Sequence, residues 1–273
     1  MKILIAVDME GITGVVNWDQ VTPGHAEYAR FRRLMTEDVN AAIRGACEAG
    51  ADDVVVSDGH WNNSNILIEE LDPRARLYYG APSPFSMVDG IEQDVDGVFF
   101  VGYHARAGSE NAIMDHTWSS RSVSNVWLNR TLTGEYGLNA AVAGYFAVPV
   151  LMISGDQTAC AQAVELLGPL ETAVVKQARG RYAAECLTPP VAQEQIQASA
   201  RRAVERLAVG DAPDPYVVDT PVTITVEFMT SDQADRASRL PDSRRVGLRL
   251  TFSAPDMLAA YASFRAAVSL ALG

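Results

Sequence analysis

Short apolar runs alternate with helical segments through the first two-thirds of the chain, and this alternation limits the fold more than any other feature. Strand-like runs occur at Lys2–Val7, Asp53–Ser57, Val98–Val101 and Val148–Ser154. Between the first two, the segment Tyr28–Ala49 carries apolar residues at helical spacing. Parallel strands need such crossover segments, whereas antiparallel strands can be joined by a tight turn. The alternation therefore predicts an α/β fold with a mostly parallel central sheet flanked by helices.

The pattern changes after Gly210, where strands of alternating polarity replace the buried runs. This tail is predicted to contain two strands and a closing helix, at Val217–Phe228, Val246–Phe252 and Pro255–Leu272. A hairpin is predicted earlier, at Ser122–Thr133. We expect an α/β body over residues 1–210 and a smaller antiparallel addition over 211–273 packed on it. One single domain over 1–273 is the alternative.

The charge and composition exclude several classes of protein. A formal net charge of −12 argues against binding to nucleic acid or to an anionic membrane surface. No apolar segment approaches the roughly 20 residues that span a bilayer. The three cysteines are far apart in the chain and form no Cys-x-x-Cys pair, so neither a disulfide framework nor a thiolate metal site is indicated. No secretory leader is recognisable, and a cytoplasmic location is expected.

Metal-ligand residues follow three of the predicted strands at the point where each strand ends. Asp8 and Glu10 follow the first strand, His60 follows the second and His104 follows the third. Open α/β sheets bind their ligands beyond the carboxyl ends of parallel strands, so these side chains should collect at one edge. Carboxylates and imidazoles together suit a divalent transition metal such as zinc.

The spacing of the first pair strengthens this interpretation. Asp8 and Glu10 are two residues apart, and on an extended strand such residues face the same side. Two desolvated carboxylates repel each other unless a cation lies between them. The alternative is that one of them caps a helix or fixes a loop.

Several other polar residues are candidates for the same edge of the sheet, each with a structural alternative. Asp58 is either a ligand or an acceptor that holds His60, and Asp156 is either a ligand or the N-cap of the next helix. Glu135, after Gly134, either reaches the site or favours a helix dipole. His116 lies in a polar loop near the site, and His25 is expected at the surface.

In this order, the motifs resemble the DppA-like M55 family of zinc-dependent D-aminopeptidases. They are Asp8-x-Glu10-Gly11, Ser57-Asp58-Gly59-His60, Gly102-Tyr103-His104, Asp115-His116-Thr117 and Gly134-Glu135. The resemblance implies two zinc ions per subunit, bound by Asp8, Glu10, His60, His104 and Glu135, with Asp8 bridging both. It implies that His116 is catalytic, a residue described in the family as a nucleophile. It also implies a ring-like homodecamer that releases N-terminal D-amino acids, notably D-alanine, from short peptides.

Chemical reasoning favours a metal-activated water as the attacking group, with His116 transferring protons. Two other functions remain open at this stage. Another dinuclear hydrolase, such as a phosphoesterase or amidase, would use the same cluster, and Arg106 and Arg121 are the nearest cations for a phosphate. A non-enzymatic metal- or peptide-binding α/β protein is the second.

Overall fold

The computed structural model describes residues 1–273, which form two β-sheets, six α-helices and three short 3₁₀ helices. The strands in chain order are β1 (Lys2–Val7), β2 (Asp53–Asp58), β3 (Ala75–Tyr78), β4 (Gly97–Val101), β5 (Val123–Leu128), β6 (Thr131–Thr133), β7 (Val150–Asp156), β8 (Glu171–Gly180), β9 (Ala183–Cys186), β10 (Val222–Phe228), β11 (Arg244–Val246) and β12 (Arg249–Ala254). The α-helices are α1 (Tyr28–Glu48), α2 (Glu135–Tyr145), α3 (Gln157–Leu167), α4 (Pro189–Ala208), α5 (Ser231–Ala237) and α6 (Met257–Leu272). No helix is long and apolar enough to cross a membrane.

The larger sheet has seven strands in the order β3-β2-β1-β4-β7-β8-β9. Every neighbouring pair is parallel except β8 and β9. The predicted α/β fold with a mostly parallel sheet is therefore confirmed. The chain first builds the sheet outward from β1 through β2 to β3, then continues on the other side of β1 with β4. Such a reversal opens a crevice at the carboxyl ends of the strands.

Both faces of the larger sheet are covered, as its nearly continuous apolar strands require. Along β1, Ile3 and Ile5 pack with the buried residues of α1 and α4, whereas Leu4 and Ala6 pack on the opposite face with α2, α6 and the second sheet. The larger sheet is therefore the middle layer between two layers of packed elements. Its carboxyl edge is not covered by either layer and carries loops.

The second sheet is antiparallel, with the order β11-β12-β10-β5-β6. The hairpin predicted at Ser122–Thr133 is confirmed as β5 and β6. The single strand predicted at Val246–Phe252 is wrong, because the chain turns at Gly247 and pairs β11 with β12. Gly247 adopts a φ of +62°, a conformation that glycine enters at little energetic cost.

The second sheet joins segments from both sides of residue 210. Strand β10 of the tail pairs with β5 of the hairpin, and α6 packs on α2. This sharing supports the alternative of a single domain, while the division at residue 210 stays a prediction. Strand β9 was not predicted, because its residues are mostly exposed and carry no apolar period.

Candidate metal centre

The loops beyond the carboxyl ends of three neighbouring strands carry the predicted metal ligands. Asp8 directly follows β1, His60 follows β2 after one glycine, and His104 follows β4 after Gly102 and Tyr103. Glu10 lies in the same loop as Asp8, and Glu135 begins α2. All five side chains are buried and lie together, and His116 of the loop between β4 and β5 lies beside them.

The ligand atoms form two groups that share Asp8. In the first group, His60 Nδ1 lies 3.2 Å from Asp8 Oδ1 and 3.2 Å from Glu10 Oε2. In the second group, His104 Nε2 lies 3.3 Å from Asp8 Oδ2 and 3.2 Å from Glu135 Oε1. Two ligands of a tetrahedral zinc ion, each about 2.05 Å from the metal, are about 3.3 Å apart. In each group the histidine nitrogen and its two carboxylate oxygens are therefore as far apart as two ligands of one ion.

Three atoms of these groups are buried without a hydrogen-bond partner. They are Asp8 Oδ2, Glu10 Oε2 and His104 Nε2. A buried polar atom left unsatisfied costs about 1–3 kcal/mol, so native proteins contain few of them. Asp8, Glu10 and His104 also offer ligand atoms that all lie within 4.8 Å of one another, so together they are a donor set that a divalent cation can satisfy. The residues present therefore fit zinc.

Backbone carbonyl groups fix the orientation of all three imidazoles. In each ring, the nitrogen that faces away from the carboxylates lies 2.8–2.9 Å from a carbonyl oxygen, that of Val21 for His60, Ala105 for His104 and Met114 for His116. An N–H that donates to such an oxygen leaves the other ring nitrogen unprotonated and free to bind a metal. The loops thus select the tautomer that a metal centre needs.

Within the centre, neighbouring groups of opposite charge shift the pKa values of the candidate ligands more than desolvation does. Burial alone would raise the pKa of Asp8, but the imidazoles of His104 and His60 beside its two oxygens hold that pKa well below its usual range. Burial would lower the pKa of His60 and His104, but the carboxylates of Glu10 and Asp8 around His60, and of Glu135 and Asp8 around His104, raise both well above the ordinary value. Without metal these imidazoles hold protons, which a bound cation displaces.

His116 differs from the other two histidines. Burial, together with the charge of His104, lowers the pKa of His116. Its ring stacks on that of His104 with centroids 4.0 Å apart and planes at 9°. Its Nε2, together with ligand atoms of His104 and Glu135, forms a set within 4.8 Å, so His116 is itself a geometric candidate for a ligand. However, its Nε2 is 3.8 Å from Glu135 Oε1 and 3.9 Å from Glu10 Oε1, longer than any contact inside the two groups.

Two of the other candidate residues, Asp58 and Asp156, accept hydrogen bonds from nearby backbone amides. Both oxygens of Asp58 accept hydrogen bonds from the loop after His60, including the backbone amides of Asn65 and Ile66. Asp156 caps α3 through the amides of Thr158 and Ala159. The oxygens of both carboxylates already accept hydrogen bonds from N–H groups, so these residues stabilise loops and a helix start. His25 is largely exposed and lies near Asp19, as expected for a surface residue.

Comparison with known proteins assigns the family. A family profile described as D-aminopeptidase, of the M55 peptidases, matches residues 1–266. The chain belongs to the M55 family of D-aminopeptidases. It is 37% identical to a D-aminopeptidase of Bacillus subtilis strain 168, over 100% of this chain and 98% of that one. It also superposes with a TM-score of 0.96 on a solved structure, 36% identical in sequence, that covers 100% of this chain and 98% of the other. That structure is the zinc-dependent D-aminopeptidase DppA from Bacillus subtilis, described as a self-compartmentalizing protease.

The family predicted from the motifs is therefore confirmed, and so is the prediction of a peptide-hydrolysing metalloenzyme. In this M55 chain, the centre opens into a cavity of about 640 Å³. Its walls include Trp18, Trp61 and Trp118. The sequence gives no signal for these tryptophans, because they come from three separate segments and share no period. Arg121 also lines the cavity, whereas the guanidinium of Arg106 donates to the carbonyl of Ala107.

Proposed function

We propose that the protein is a dinuclear zinc aminopeptidase that releases N-terminal D-amino acids of the D-alanine type from short peptides. One observation carries the proposal: the two carboxylate oxygens of Asp8 face two separate groups of ligand atoms. A carboxylate placed in this way suits a bridge between two ions. The specificity for D-amino acids rests on membership of the M55 family.

The ligand assignment follows the two groups. Asp8, Glu10 and His60 would hold one zinc ion, and Asp8, His104 and Glu135 would hold the other. Three protein ligands per ion leave a coordination position open, as catalytic zinc sites require. The orientation of the Glu135 carboxylate is fixed by a hydrogen bond of 2.7 Å, which its Oε1 accepts from the backbone amide of Trp118.

Zinc, when bound, supplies Lewis acidity and lowers the pKa of water at the site. The chain itself must then move a proton to the leaving amine. His116 suits this task because burial lowers the pKa of its imidazole and so favours the neutral form, which can accept a proton and return it. Its Nδ1 donates to the carbonyl oxygen of Met114, which leaves Nε2 facing Glu10 and Glu135 as the proton acceptor. Direct attack by His116 would add an acyl-imidazole step for which the centre has no need.

The cavity suits a short peptide. A volume of about 640 Å³ lies within the range of small-molecule sites and is too small for a folded protein. The ring of Trp18 contacts the edge of His116 with centroids 5.4 Å apart, and it forms an apolar wall next to the reacting atoms. An apolar side chain such as that of alanine is compatible with such a wall.

A single set of assays tests the proposal. Purified protein should contain two zinc ions per chain and hydrolyse D-Ala-D-Ala faster than L-Ala-L-Ala, and a chelator should abolish turnover. Because Arg121 lines the cavity, a phosphate monoester belongs in the same set. Hydrolysis of the ester without peptide cleavage would instead assign a phosphoesterase, and zinc binding without any turnover would assign a binding protein.

We also propose a homo-oligomer, a decamer by family resemblance, because the related solved structure is described as self-compartmentalizing. Light scattering coupled to size-exclusion chromatography would give the mass of the assembly. A monomer at micromolar concentration would contradict this part of the proposal. The cytoplasmic location stays a prediction.

A further inference from the structure

Lys176 of β8 is buried to an unusual degree for a lysine. It is 1% exposed, and it ranks among the largest fully buried side chains of the chain. Lysine is almost never fully buried unless its charge is paired. Here its ammonium donates to three backbone carbonyl oxygens, those of Glu10 at 2.6 Å, Val15 at 2.7 Å and Ile12 at 2.9 Å.

These three carbonyl groups belong to one segment, residues 10–15, which we call the Glu10 loop. An ammonium group has three N–H donors, so the loop uses all of them. The loop contains neither helix nor strand, and its backbone groups therefore depend on such partners. Its first residue, Glu10, is one of the proposed zinc ligands, and its carboxylate faces His60.

Two further contacts hold the same loop. Asp38 of α1 accepts hydrogen bonds from the backbone amide of Thr13, at 2.9 Å, and from its hydroxyl group, at 2.8 Å. On the other side, Gly11 donates to Gly102, and a Cβ atom on Gly11 would meet the carbonyl oxygen of Tyr103 at 2.0 Å. The Glu10 loop is thus fixed from β8, from α1 and from the loop after β4. The peptide group between Glu10 and Gly11 is held at both ends, because Lys176 donates to its carbonyl oxygen and Gly102 accepts from its N–H.

We infer that Lys176 is a positioning residue for the metal centre: its ammonium fixes the Glu10 loop so that the Glu10 carboxylate meets His60 at zinc-ligand spacing. This inference rests on the proposed zinc assignment. Lys176 is absent from the lining of the cavity, so it does not touch substrate. Its effect should therefore appear in zinc affinity first and in turnover only as a consequence.

Lys176→Met tests the inference, because methionine keeps much of the length and apolar volume while removing all three donors. We expect zinc affinity at the Glu10 site to fall tenfold to a hundredfold, the range seen when groups that orient metal ligands are lost. Affinity is measured by competition with a chromophoric zinc chelator. Saturating zinc should restore most of the turnover of D-Ala-D-Ala, because the catalytic groups are unchanged.

The matched control is Ile196→Ala, a fully buried site on α4 in the same apolar cluster as Ile12 and Val15 of the Glu10 loop. It should lower the unfolding temperature but keep zinc affinity within about twofold of that of the wild type. If Lys176→Met does not fold, Lys176→Gln replaces it, since the amide keeps two N–H donors on a shorter, uncharged side chain and should lower zinc affinity by a smaller factor.

The outcomes separate the two proposals. Two tightly bound zinc ions in the wild type, with unchanged affinity in the variant that folds, would overturn the role of Lys176 and leave the proposed function standing. A wild type that binds no zinc would overturn both. Equal losses of affinity in the Lys176 variant and in Ile196→Ala would assign Lys176 to general stability and refute the positioning role.

Discussion

Replacing His116 with alanine should leave both zinc ions in place and remove most of the turnover. The structure distinguishes this residue from the ligands by distance. Its Nε2 lies 3.8–3.9 Å from the nearest carboxylate oxygens, compared with 3.2–3.3 Å for His60 and His104. Each proposed ion also keeps three ligands without His116, so the substitution removes a proton carrier and leaves the metal ligands unchanged.

The expected loss follows from the role as acid and base. Such groups typically contribute a factor of about 10²–10⁴, or about 3–5 kcal/mol of transition-state stabilisation. The fold should lose less, because the interactions removed are the hydrogen bond to Met114, the stacking on His104 and the edge contact with Trp18, each worth about 0.5–1.5 kcal/mol. The variant therefore remains folded at assay temperature.

The assay combines elemental analysis of zinc per chain with kcat and KM for D-Ala-D-Ala. His25→Ala is the matched control, because its imidazole is 48% exposed and lies outside the centre. The control should keep full activity and both ions. Loss of one zinc ion from His116→Ala would make His116 a ligand, and an unchanged kcat would refute its part in proton transfer.

Three further predictions concern the metal and a buried carboxyl group. Asp8→Ala should lose both zinc ions and His60→Ala only one, because Asp8 belongs to both ligand groups; equal zinc content in the two variants would contradict the bridge. Removing zinc with a chelator should lower the unfolding temperature, and zinc at a hundredfold excess over its dissociation constant should restore about 3 kcal/mol per site, measured by calorimetry. Burial raises the pKa of Asp38 to about 6 despite its hydrogen bonds from Thr13. The folded state therefore binds this proton more tightly than the unfolded chain does, and the associated stability is present below pH 4 and lost as pH rises to about 6. The loss corresponds to about 3 kcal/mol. Asp38→Asn lacks this titration, so its stability relative to the wild type should rise by up to that amount between pH 4 and pH 7 in denaturant unfolding. A difference that does not vary with pH would refute the assignment.

Much of the fold was predictable because its signals are local. The alternation of buried strands with Tyr28–Ala49 and later helical segments reflects backbone hydrogen bonding, which sets the periods of strands and helices within a few residues. The hairpin at Ser122–Thr133 was equally local. The turn at Gly247 was not recognised, because strand-like residues on both sides hide a change of direction made by one glycine.

The sequence by itself determined the identity of the candidate ligands, since Asp8, His60 and His104 stand where strands end and parallel strands share an edge. Only the tertiary structure decided how they divide into two groups about Asp8, and that Asp58 and Asp156 hold loops. It also placed Lys176 beneath Glu10, 166 positions away. The reason is physical: periodicity encodes which face of an element is buried, whereas a contact between two loops depends on the packing of every element between them.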